Sequence, residues 1–171
     1  IDLLTHGIDN ITPVYTGMCA EASIYCLESQ LHKNGTCLNV SGNSKKQYIL
    51  KWNNPSGALA QHTWKDDQET TEFGAMGIGV LLSKKLTNLN IIERSARGTG
   101  IDFWLGKLAD PSSFFQEKVR LEISGIRKGS LKDVKSRANV KITQAKKSAG
   151  SGLPSLIIIV EFSSPLAYYK G

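Results

Sequence analysis

Three acids make the strongest chemical suggestion in this chain. Asp102 follows the glycine turn Gly98-Thr99-Gly100, Glu122 sits in the alternating run from Lys118 to Ile126, and Glu72 lies in a long helical stretch upstream. Carboxylates that converge from adjacent strands and a helix suit Mg²⁺ or Mn²⁺, hard cations that prefer oxygen ligands. An ion held in this way polarises a phosphodiester oxygen and lowers the pKa of a bound water for in-line attack. A second group stands downstream: Arg137, Lys141 and Gln144 fall at i, i+4 and i+7, so they share one face of a helix.

The elements that must position these groups can be read from pattern. Gly17 to Lys33 has apolar residues at helical spacing, with Asn34-Gly35 as its stop. Thr36 to Val40 and Gln47 to Trp52 form a hairpin. Asp66 or Asp67 opens a helix that runs to about Leu86, and acids in its first turn suit the macrodipole. That helix carries Gly74, Gly77 and Gly79, each costing about 1 kcal/mol of helix stability; close approach to a sheet explains them. No Lys-Ser/Thr pair follows these glycines, which argues against a phosphate loop. Leu89 to Ala96 and Ile101 to Leu105 read as paired strands. In the next strand Val119, Leu121 and Ile123 face one way, and Arg120, Glu122 and Ser124 the other. Ser130 caps a helix that runs to about Ser148, closed by Gly150-Ser151-Gly152. Leu156 to Phe162 is an unalternating apolar strand, suited to a sheet centre covered on both faces.

From Asp66 onward the order is therefore helix, three strands, helix, strand. Together with Gly98-Thr99-Gly100-Ile101-Asp102 and Arg120-Leu121-Glu122-Ile123-Ser124, this order resembles the PD-(D/E)XK nuclease superfamily over about the last two thirds of the chain. The resemblance implies an α/β, restriction-endonuclease-like fold. Its mixed central sheet would be flanked by helices, with residues 61–171 as the nuclease-like core of a single domain and 1–60 as an N-terminal helix-hairpin extension. It further implies Asp102, Glu122 and the Ile123 carbonyl as metal ligands, with Glu72 as an auxiliary acid. Ser124 stands where the family carries its strand lysine. Lys141 from the following helix is the replacement the resemblance suggests, with Gln144 beside it in the catalytic group. Arg137, Lys135 and Ser124 would contact nucleic acid, most readily DNA.

The net charge of +6 fits a polyanionic partner, because each neutralised phosphate releases condensed counterions. The charge is concentrated: Arg127 to Lys147 holds eight basic residues against one acid, Asp133. Cys19, Cys26 and Cys37 are too few and too irregular for a disulfide framework and read as free thiols, Cys19 and Cys26 as core packing. With no secretory leader visible and no apolar run near the roughly 20 residues a bilayer requires, a cytoplasmic protein without a membrane partner is expected. Two other readings stay open. The loss of the strand lysine also fits a catalytically inactive nuclease-fold module that binds nucleic acid or protein, where Lys141 need not approach Glu122. An immunity or regulatory protein, with a homodimer or other protein partner, would instead bury the basic helix in an interface.

Overall fold

Asp66 starts the helix that organises the protein. Its carboxylate accepts the Glu69 backbone N–H at 2.8 Å, and the helix continues through Asp67–Thr87 until Asn88 takes a left-handed conformation. The computed structural model describes residues 1–96, 98–107, 118–147 and 152–171. Their elements are a 3-10 turn (Asp2–His6), α1 (Pro13–Glu28), β1 (Cys37–Gly42), β2 (Lys46–Ile49), α2 (Ala60–Thr63), α3 (Asp67–Thr87), β3 (Asn90–Arg94), β4 (Phe103–Gly106), β5 (Val119–Ile126), α4 (Leu131–Lys147), β6 (Ser155–Glu161) and β7 (Leu166–Lys170).

The seven strands form one mixed sheet in the order β2-β1-β7-β6-β5-β4-β3. Neighbours β3/β4, β4/β5, β6/β7 and β1/β2 run antiparallel, whereas β5/β6 and β7/β1 run parallel. The parallel step from β5 to β6 is bridged by α4, as such a step requires a crossover. The expected α/β class and the helix-strand-strand-strand-helix-strand order are thus present, as α3 through β6.

Several boundaries differ from those expected. The first helix begins at Pro13, because proline at the first helical position loses only an N–H that would be unpaired anyway. It ends at Glu28, before Gly35. Leu31 turns left-handed (φ 65°), and Gly35 serves instead in the turn that meets Leu50. Strand β7 was not expected: Leu166–Lys170 alternates weakly and follows β6 after a four-residue turn, Phe162 to Pro165. It joins the β1/β2 hairpin to the rest of the sheet. The helix stop expected at Gly150-Ser151 lies outside the described residues.

The sheet is covered on both faces. Leu121, Ile123, Leu156, Ile158 and Val160 pack beneath α3, with α1 layered on α3, while Ile157 and Ile159 pack with Val134, Ala138 and Ala145 of α4. The α3 glycines are needed for close approach, but only partly to the sheet. A Cβ on Gly79 would stand 2.8 Å from the Ile123 side chain of β5. On Gly77 it would stand 2.4 Å from Ser23 Oγ and 2.8 Å from the Cys19 carbonyl, both on α1; Gly74 meets Cys26 and Ala22 of α1 as well as Phe162. Two of the three therefore serve the α1/α3 contact, a correction to the sequence expectation. Gly77→Ala should accordingly destabilise the protein by about 1–3 kcal/mol in urea denaturation, because overpacking against a fixed carbonyl outweighs the helix-propensity gain.

Candidate active site

β5 and α4 are matched in repeat. Alternate β5 residues point at α4 every ~6.7 Å, and each i, i+4 step along α4 advances ~6 Å, so side chains pair in sequence. Arg120 donates to the Ala145 carbonyl at 3.2 Å, Lys141 Nζ meets Glu122 Oε1 at 2.5 Å, and Arg137 donates to Ser124 Oγ at 3.3 Å. Ser130 and Asp133 fix the start of α4: Ser130 N–H donates to Asp133 Oδ2 at 2.8 Å, and Asp133 N–H returns to Ser130 Oγ at 3.4 Å. The buried stripe Val134, Ala138 and Ala145, packed with Ile157 and Ile159, sets the rotation of α4 that brings Lys141 over β5. Glu122 is 7% exposed, so its charge is not simply solvated, and the Lys141 ammonium compensates it.

Asp102 arrives from the other side. Its N–H donates to the Leu121 carbonyl at 2.8 Å, and its carbonyl accepts the Ser95 N–H at 2.8 Å, which holds it at the start of β4 between β3 and β5. Its Oδ2 accepts the Ile123 N–H at 2.7 Å. Backbone groups alternate sides along a strand, and Arg120 N–H already bonds Pro154 on the β6 side. Ile123 therefore turns its N–H and carbonyl toward β4, where the β4 pairing has ended and the Asp102 carboxylate stands instead. The Ile123 carbonyl opens on the same side as that carboxylate.

The electrostatics place both acids in one field. Burial raises the Glu122 carboxyl above its ordinary pKa, the Asp102 charge pushes the same way, and Lys141 opposes both. Burial also raises Asp102, against the Ile123 N–H, Lys141 and Arg94, with Glu72 adding to the rise. Both folded pKa values lie above the unfolded ones. As pH rises, the unfolded chain therefore releases these protons first, and their contribution to stability declines from the ordinary carboxylate range up through the raised values. The urea midpoint of the wild-type protein should fall more steeply over that window than the midpoint of Asp102→Asn/Glu122→Gln.

The other expected site residues divide. Glu72 is exposed on α3, holds Gln68 Nε2 at 3.1 Å, and acts on Asp102 through its charge. Gln144 is exposed about one turn beyond Lys141 on the same face. Lys135 is exposed, but 3.6-residue periodicity puts it on the side of α4 opposite Arg137, so these two do not meet. Burial pushes the thiols of Cys19 and Cys26 up to about 12, which leaves neither as a nucleophile at neutral pH.

Among the described residues no cluster of three or more His, Cys, Asp or Glu side chains stands within reach of one ion. The donor set on offer is two carboxylates and one carbonyl, all hard oxygens. That set fits Mg²⁺ or Mn²⁺, which keep several waters, and does not fit a closed zinc site. Arg94 and Tyr15, which sequence reasoning missed, flank Asp102 on the side away from Lys141. Arg94 is Cα partner to Phe103, next to Asp102, and its guanidinium lies 4.6 Å from the centre of the Tyr15 ring. No local motif could have flagged a pair so distant in sequence. Comparisons with family models, curated proteins and solved structures find no match, and among the described residues no helix is long and apolar enough to cross a membrane.

Proposed function

We propose that the chain is a metal-dependent nuclease of the PD-(D/E)XK type that hydrolyses phosphodiester bonds, with DNA as the preferred substrate. One observation carries this reading: the Lys141 ammonium lies 2.5 Å from Glu122, on the strand beside Asp102. A lysine nearly three turns into α4 thus reaches the acids that the strand lysine would otherwise serve. The element order α3 through β6 and the mixed sheet support the restriction-endonuclease-like fold.

Asp102, Glu122 and the Ile123 carbonyl would hold the ion, whose chemistry when bound is to polarise a phosphoryl oxygen and acidify a water. The chain's own groups do the rest. The Ile123 N–H fixes Asp102 Oδ2. Lys141 draws Glu122 toward its ionised form, against burial and Asp102, and supplies the positive charge that orients the attacking water and offsets charge building on the phosphate. Arg137, whose guanidinium bonds Ser124, and Gln144 lie along the same helix face for the substrate strand. The free thiols fit a reducing compartment such as the cytoplasm.

The inactive-module reading keeps one observation in its favour, Ser124 at the strand position of the lysine. The test is incubation of plasmid, linear duplex, single-stranded DNA and RNA with Mg²⁺ or Mn²⁺, alongside Asp102→Asn. Cleavage that is lost in the variant and on chelation is expected; binding without cleavage of any substrate would leave the inactive module in its place.

A further inference from the structure

We propose that Arg94, seated over the Tyr15 ring, is a phosphate-positioning residue that grips the nucleic-acid backbone on the β3 side of the acidic pair. The inference rests on the nuclease reading above and names how the substrate is held there.

Position comes first. Arg94 ends β3, and the neighbouring Ser95 N–H donates to the Asp102 carbonyl, so the Arg94 backbone is bound next to that of Asp102. Lys141 comes from α4, across the sheet. The acids are therefore bracketed by a cation on each side.

Charge distinguishes the two cations. Lys141 is neutralised by Glu122 at 2.5 Å. Among the described residues no carboxylate forms an ion pair with Arg94, whose one close partner is the face of Tyr15 at 4.6 Å. Asp102 and Glu72 would repel an approaching phosphodiester, and the Arg94 guanidinium, whose charge reaches Asp102 without a direct ion pair, lowers that repulsion.

Shape comes last. An arginine seated over a ring gains a cation–π contact without spending its N–H donors on a carboxylate, and its planar fork can bind two phosphate oxygens. Tyr15 is itself held on α1, with its ring 6.2 Å from that of Phe73. The arginine is exposed, yet it is restricted before substrate arrives. Such restriction reduces the ordering cost of binding.

The test measures duplex DNA binding by fluorescence anisotropy over a salt series, with Ca²⁺ in place of Mg²⁺, for wild type, Arg94→Ala, Arg94→Lys, Tyr15→Leu and Lys85→Ala. Lys85 is an exposed cation on α3 and controls for net charge. Arg94→Ala should weaken binding about tenfold or more and reduce the salt slope by about one. Arg94→Lys should keep the slope but bind more weakly, Tyr15→Leu should weaken binding with the slope kept, and Lys85→Ala should match wild type. A merely structural role would not move the slope. If Arg94→Ala behaves like Lys85→Ala while Asp102→Asn still abolishes cleavage, the Arg94 assignment fails and the nuclease reading survives. A wild-type protein that neither binds nor cleaves DNA or RNA would overturn both.

Discussion

Lys141→Ala should reduce the rate of DNA cleavage by about 10²–10³-fold while leaving the protein folded. The magnitude is that of removing one preorganised group that stabilises developing charge in a transition state. Folding should survive because Glu122, left without its partner, can take up a proton: burial and Asp102 already push its pKa upward, and a neutral carboxyl is far cheaper to bury than a lone carboxylate. Lys141→Arg should recover part of the rate, since the charge returns but a wider group must fit beside Glu122. Single-turnover cleavage and a urea melt, run on the same preparations, check both halves. A lysine that only pinned α4 to β5 would give the reverse: lost stability, with the activity of the remaining folded protein unchanged.

Asp102→Asn should abolish cleavage, by at least about 10³-fold, through a different route. The ion's work on phosphate and water is worth several kcal/mol, and the amide that replaces the carboxylate is a weaker ligand with no charge. The side-chain oxygen of asparagine can still accept the Ile123 N–H, so the local backbone need not change. With one carboxylate gone, the pKa of Glu122 should also fall, because the Asp102 charge is one of the causes of its rise. Loss of cleavage together with a downward shift in the Glu122 titration, followed by side-chain carboxyl NMR, is the expected pair of results. Both come from the same carboxylate; because unfolding would also lower the Glu122 titration by removing its burial, a urea melt on the same preparation must show the variant folded.

The parts of this fold that could be read from sequence are those fixed by local chemistry. Asp66 caps α3 through its own side chain, Ser130 and Asp133 cap α4 reciprocally, and the alternation of β5 sends Glu122 and Ile123 to opposite faces. The apolar run of β6 marks the sheet centre because strands covered on both faces do not alternate. What could not be read depends on contacts between distant segments. Gly74 and Gly77 look like any close-packing glycines until α1 is seen against them. β7 is short, and its place between β6 and β1 comes from pairing on both sides.

The site shows the same division. Asp102, Glu122 and Lys141 could be named because each sits at a recognisable place in a strand or on a helix face. Arg94 and Tyr15 could not, since their meeting is decided by how α1 docks across the β3 end of the sheet. Lys135 illustrates the converse: basic charge near the site in sequence is directed away from it by helical periodicity.

Titration calorimetry with Mg²⁺ or Mn²⁺, comparing the native protein with Asp102→Ala and Glu122→Ala, tests the central claim most directly. One site in the native protein, lost in both variants and weakening as pH falls and protons compete for the carboxylates, is the predicted result. A native protein that binds neither ion, or variants that bind as well as it does, would contradict the acidic centre and leave an interaction domain in place of an enzyme.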